Sequence, residues 1–168
     1  MTRSGTDAGR GAGENVTRPG SDAGEAVIRP RTGADLDACV RALAEVQAAD
    51  RYPVDWPDDP HGWLSPDDLT GAWVGIGGDT VLGHVGLAGT AVTRLFVTPV
   101  ARGSGLAAAL LDTVLAAAGT PLTLEVSDEG GAAIAFYERQ GWRRVGSARA
   151  RWLNAAGEPA LVHHYVSP

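Results

Sequence analysis

Arg94-Leu-Phe-Val-Thr-Pro-Val-Ala-Arg-Gly-Ser-Gly-Leu-Ala-Ala-Ala-Leu-Leu111 runs an apolar strand through a short loop and a glycine pair into an alanine-rich helix. Glycine at 103 and 105 lets backbone amides crowd toward a ligand. The helix that follows begins with unpaired amides and the positive end of its dipole. An anionic diphosphate fits such a loop.

Outward from this segment, apolar alternation and turn residues define the other elements. On the N-terminal side lie strands at Ala72–Ile76, Val81–Leu87 and Ala91–Val97, the first two joined by Gly77-Gly78-Asp79 as a tight hairpin. A helix over 34–49 precedes them, with Thr32 and Asp35 as its start signal and Leu36, Val40, Leu43 and Val46 (or Gln47) as its stripe. Ala26–Pro30 reads as a first strand. Tyr52 to Asp68 carries four prolines among aromatic and acidic residues and reads as a long irregular loop, a type that often serves function.

On the C-terminal side come a helix to about Ala118 and a strand over Leu122–Val126. A helix from about Ala132 to Gln140 follows, stopped by Gly141, and the last strands lie near Trp142–Trp152 and Leu161–Val166. Clustered hairpins with interspersed helices predict an α/β (α+β) fold: a mixed, mostly antiparallel central sheet flanked by helices.

The chain has 168 residues, enough for one domain with a full core. Residues 1–25 are rich in glycine and mixed charge with almost no large apolar side chain, which predicts a disordered tail ahead of a domain at 26–168. A net charge of −6 argues against general nucleic-acid binding. No stretch approaches the roughly 18 apolar residues of a membrane span, and no signal-peptide core is present, so a cytoplasmic location is expected. Cys39 is the single cysteine, which rules out an intramolecular disulfide and a cysteine-based zinc site. His84 reads as a structural histidine or a base. His163 and His164 are adjacent in a strand and point to opposite faces, a poor start for a metal site, and none is expected.

Two ligand classes compete for the glycine loop. Gly103, Gly105 and Ala108 satisfy a dinucleotide fingerprint, with Glu125 about twenty residues on as a ribose acid. That fingerprint should follow its strand almost at once, whereas Thr98 to Arg102 intervene here. A Walker loop lacks its Lys-Ser or Lys-Thr. The blandest alternative is a pair of turn glycines.

Arg102-Gly-Ser-Gly-Leu-Ala107 resembles the R/Q-x-x-G-x-G/A signature of the GNAT superfamily of acyl-coenzyme A-dependent N-acyltransferases. Arg94–Pro99 looks like that family's fourth strand. Leu122–Val126 and Ala133–Trp142 look like its fifth strand and last helix. The resemblance implies that amides from Arg102 through Gly103, Ser104, Gly105 and Leu106 to Ala107 bind the pyrophosphate of acetyl-coenzyme A. The main chain of Leu95, Phe96 and Val97 pairs with its pantetheine arm. It further implies transfer of the acetyl group to a primary amine, of a small molecule or peptide, by direct attack in a ternary complex. A non-catalytic acyl-coenzyme A sensor is the alternative, suggested by Gly130 where many relatives carry asparagine and by the absence of a carboxylate on the fourth strand. A homodimer is compatible with the family, and no residue specifies it.

The chemistry needs a neutral amine and a proton for the departing thiolate. At pH 7 an amine of pKa about 10.4 is neutral in roughly one molecule per 2,500, against an α-amine near 7.7 to 8.0 that is only about 1 kcal/mol from neutrality. Tyr137 stands where relatives keep a tyrosine that protonates the coenzyme A sulfur and also touches the cofactor; the alternative is an aromatic packed on the sheet. Glu125, twelve residues earlier, matches the glutamate of the family's ribosomal-protein alanine acetyltransferases as the proton acceptor. Substrate orientation or a solvated surface role stays open for it. In the 52–63 loop, Tyr52 and Trp56 suit an acceptor's apolar part and Asp55, with Asp58 and Asp59, suits a cationic amine; a solvated loop is the alternative.

Overall fold

A computed structural model describes residues 25–168. The expected disordered tail lies outside the described residues, apart from Glu25. Seven strands form one sheet: β1 (Val27–Pro30), β2 (Leu69–Gly77), β3 (Thr80–Ala88), β4 (Ala91–Val97), β5 (Thr123–Ser127), β6 (Arg143–Leu153) and β7 (Pro159–Val166). Their spatial order is β1-β2-β3-β4-β5-β7-β6, and only β4 and β5 run parallel. That is the mixed, mostly antiparallel sheet the pattern predicts.

Helices cover both faces. On one face α1 (Leu36–Asp50) buries Cys39, Ala42, Leu43 and Val46 against Val74, Val81 and Phe96. The stripe is rotated from the expected one, with Cys39 and Ala42 inside and Val40 only half-buried. Asp35 caps the entry by accepting the Thr32 amide at 2.7 Å and pairs with Arg29. On the other face α3 (Leu106–Ala118) buries Leu106, Leu110, Leu111 and Val114 against Val85, Leu87, Val92, Leu124 and Tyr165. Beside it lies α4 (Gly131–Arg139), which Tyr165 ties to the sheet by donating to Glu138 at 2.9 Å.

The expected irregular loop is interrupted by a short helix, α2 (Pro60–Leu64). Proline suits the first position of a helix, and the Asp59 carboxylate accepts the Gly62 amide at 3.0 Å. One of the loop's acidic residues is therefore a helix cap.

Two irregularities in the sheet create the site. His84 is registered with Phe96 and Gly86 with Thr93, so Arg94 and Leu95 stand against Val85 alone, a β-bulge. Arg94 takes a left-handed φ of 51°, an unfavourable region for a side chain with a Cβ. Half-buried hydrogen bonds hold it there: His84 Nδ1 lies 2.9 Å from the Arg94 carbonyl oxygen, and the Arg94 Nε donates to the carbonyl of Trp63. Further along the sheet, β4 and β5 share a single registered pair, Ala91 with Thr123. Beyond it the two strands part.

Candidate active site

The loop before α3 is the candidate cofactor site. Gly103 and Gly105 take φ of 74° and 84°, which only glycine adopts without strain. The turn leaves the amides of Gly103, Gly105, Ala107 and Ala108 without a hydrogen-bond partner among the described residues. Those of Arg102, Ser104 and Leu106 already make long bonds, of 3.3, 3.4 and 3.3 Å, to Pro99, Ala101 and the Ser104 hydroxyl. The free donors thus alternate along the loop instead of forming an unbroken run from 102 to 107. They open on a groove of about 300 Å³ whose walls include Val97, Leu106, Phe136 and Arg139. Arg139 brings a positive charge to this groove. The Arg102 side chain is engaged elsewhere, with Asp50 at the end of α1.

Tyr137, on α4, packs edge-on against Phe136 and Trp142, at centroid distances of 5.2 and 6.0 Å. Its hydroxyl has no partner among the described residues and is not sealed from solvent. Burial holds the phenol well above the usual tyrosine range, and the proximity of Tyr52 raises it further. A phenol so placed stays protonated at neutral pH.

Tyr52 meets Trp63 edge-on, with centroids 6.0 Å apart. The residue as a whole is 37% exposed, and burial pushes its phenol up to about 12. Arg94 completes this wall, its guanidinium 4.8 Å over the Trp63 ring. Asp55 and Trp56 stand exposed and carry no hydrogen bond or ion pair among the described residues. The fold therefore gathers Tyr52 with Tyr137 and leaves Asp55 and Trp56 outward.

Leu124 belongs to the core on the α3 face, so Glu125 points to the α1 face. There β7 places His164 opposite it, with Nδ1 3.1 Å from Glu125 Oε1. His163 turns to the other face, within 2.6 Å of Asp128 and 2.8 Å of the Ser147 hydroxyl.

His84 is fully buried, stacked on Phe96 at 5.3 Å, with Nε2 3.0 Å from an Arg31 nitrogen. Arg31 also donates to the Leu64 carbonyl and the Ser65 hydroxyl. Burial, then the nearby arginines, push the imidazole down to about 4 despite its bond to the Arg94 carbonyl. Nδ1 donates and Nε2 accepts, so neither nitrogen is left to act as a base: His84 is a brace between the bulge and α2. Burial pushes the Cys39 thiol up to about 11, which keeps it an inert core group. Gly130 caps α4, and a Cβ there would press on the Ser127 carbonyl at 3.1 Å, so its lack of a side chain has a local steric reason. Among the described residues no group of three potential metal ligands converges, and no helix is long and apolar enough to cross a membrane.

Sequence reasoning gave no site role to Arg94, Arg139 or His164, and it took in Trp63 only as one of the aromatic residues of its loop. Arg94 lay in the decisive segment, but its left-handed backbone has no sequence signature. The β5–β7 pairing that brings His164 to Glu125 spans about forty residues.

Residues 37–142 match the model of the Acetyltransferase (GNAT) family, and the chain belongs to that family of acyltransferases. Its fold is that of the ribosomal-protein-S18-alanine N-acetyltransferase of Escherichia coli, at TM-score 0.67 and 18% identity over 85% of this chain and 93% of the other. The ribosomal-protein-alanine N-acetyltransferase of Brucella melitensis is similar, at TM-score 0.65 and 20% identity over 84% and 98%. So is Arabidopsis thaliana NAA60 in complex with acetyl-CoA, at 0.64 and 19% over 84% and 97%. No curated protein matches the sequence.

Proposed function

We propose that the protein is an N-acetyltransferase that moves an acetyl group from acetyl-coenzyme A to a primary amine by direct attack in a ternary complex. The observation that carries this reading is the parting of β4 and β5 beyond Ala91 and Thr123. The free amides of the glycine loop lead into α3, and Tyr137 stands on α4 and packs on the same face of the sheet, whereas Glu125 points to the opposite face.

In this reading the loop amides, with Arg139, bind the pyrophosphate, and the free edge of β4 at Leu95, Phe96 and Val97 pairs with the pantetheine amides as an added half-strand. The amine enters from the α1 face past Tyr52. Its nitrogen attacks the thioester carbonyl, the carbon–sulfur bond breaks, and the sulfur takes the Tyr137 proton. The proton lost by the amine passes to Glu125, directly or through water, with His164 orienting the carboxylate. Asp55 and Trp56 form the outer approach, where a negative charge attracts a cationic acceptor.

Thiol release is the test. Acetyl-coenzyme A with a panel of amines, amino acids and peptides should give coenzyme A in step with acetylated product. Cofactor binding by calorimetry with no turnover across the panel would instead favour a sensor of acyl-coenzyme A. No binding at millimolar cofactor would end both readings.

A further inference from the structure

Arg94 brings a positive charge to the acceptor side of the cleft without a countercharge. Its Nε donates to the Trp63 carbonyl and its Nη1 to the Thr93 hydroxyl, the latter at 2.6 Å, while Trp63 lies beneath the guanidinium plane. Arg29 and Arg102 each hold an aspartate. Among the described residues no carboxylate comes within ion-pair distance of Arg94, and Asp68 acts on it only from further away. Its Nη2 makes no hydrogen bond among the described residues and is not enclosed, so two donors stay open beside Tyr52.

A half-buried cation without an anion is unfavourable, and here it is held by a strained bulge and two hydrogen bonds. A guanidinium fixed in this way is a preorganised fork for a carboxylate. The neighbouring strand supplies the opposite charge. Arg94 reaches α2, on the α1 face, and Glu125 points to the same face. Counted from the last registered pair, Ala91 and Thr123, Arg94 stands about 10 Å and Glu125 about 7 Å further along their strands, at roughly 3.3 Å per residue. The cleft thus offers a carboxylate on one strand and a guanidinium on the next.

We propose that the acceptor is a small amine that also carries a carboxylate, an amino acid in the chemical sense, and that Arg94 receives its carboxylate. This rests on the N-acetyltransferase reading above. Such a zwitterion satisfies both charges of the cleft, whereas a polyamine or an amino-acid amide leaves the guanidinium without a partner.

Thiol release by the full chain is measured on amino acids, each matched with its carboxamide and with the amine lacking the carboxyl group, and on acidic peptides. For any amino acid turned over, loss of the carboxylate should lower kcat/KM at least tenfold, chiefly through KM. Arg94→Gln should bring the acid-to-carboxamide ratio close to one, and Arg94→Lys should recover part of it. Equal use of acid and carboxamide by the wild type, preference for the plain amine, turnover of peptides alone, or an unchanged ratio in Arg94→Gln would overturn the assignment. The wild-type ratio needs no variant, so a folding defect cannot blur it. If no amine releases thiol, the transferase reading fails, and calorimetry of the same amino acids with the coenzyme A-loaded protein decides the role of Arg94. Binding that Arg94→Gln loses supports a carboxylate receptor, and absence of binding overturns it.

Discussion

His164 Nδ1 lies 3.1 Å from Glu125 Oε1, across registered positions of β7 and β5. The glutamate stays mostly exposed, and the histidine is the one charged neighbour within ion-pair distance of it among the described residues. Glu125→Gln should lower kcat/KM by about 10- to 100-fold for alkylamine acceptors of pKa near 10, and less for α-amines, which need less help to become neutral. His164→Asn should have a smaller effect. If the histidine acts through the glutamate, the double variant should be no worse than Glu125→Gln; additive losses in steady-state kinetics would separate the two.

Tyr137 offers an unpartnered, protonated hydroxyl on α4. Tyr137→Phe keeps the ring packing against Phe136 and Trp142 and removes the proton donor. A fall in kcat of about 100-fold or more is expected, with the dissociation constant for acetyl-coenzyme A within about twofold. Unchanged kcat would leave Tyr137 as a packing residue.

The glycine loop can be tested for backbone chemistry apart from space. A Cβ at Gly105 meets nothing within 4 Å, so the cost of Gly105→Ala comes from its φ of 84°. A stability loss of about 1–2 kcal/mol is expected, with at least fivefold weaker acetyl-coenzyme A binding by calorimetry. Arg139→Ala should weaken the cofactor severalfold, by an amount that shrinks as salt rises, with the melting temperature little changed.

His84 links stability to acidity. Unfolded, it titrates near 6.5; folded, it is pushed down to about 4. The unfolded chain therefore binds the proton first, and stability falls as pH drops from 6.5 toward 4. At roughly 1.4 kcal/mol per pH unit the interval is worth up to about 3 kcal/mol. His84→Gln should be less stable at pH 7.5 but show a flatter dependence across this window in denaturant titrations. An equally steep dependence in the variant would place the acid sensitivity elsewhere. Asp35, held below the usual carboxylate range chiefly by Arg29, adds its own loss only below about pH 4.

Most of the fold was legible because its elements are local. β4 at Ala91–Val97 and α3 from Leu106 to Ala118 coincide with the expected spans, since apolar alternation and a glycine boundary act over a few residues. The short α2 was hidden among prolines, because Pro60 reads as a breaker until Asp59 is seen to cap the turn it opens. The α1 stripe shifted by one position because the sheet beneath it, not the periodicity, selects which side is buried.

The sequence by itself determined the glycine loop and the family, since Arg102-Gly-Ser-Gly-Leu-Ala107 encodes its conformation in two glycines one residue apart and a helix start. Only the tertiary structure decided the candidate acceptor side. Tyr52, Trp63 and Arg94 are gathered from separate parts of the chain beside a bulge braced by buried His84, and the pairing of β5 with β7 sets His164 against Glu125. Long-range register and a strained backbone angle set that arrangement, and neither leaves a local periodicity to read.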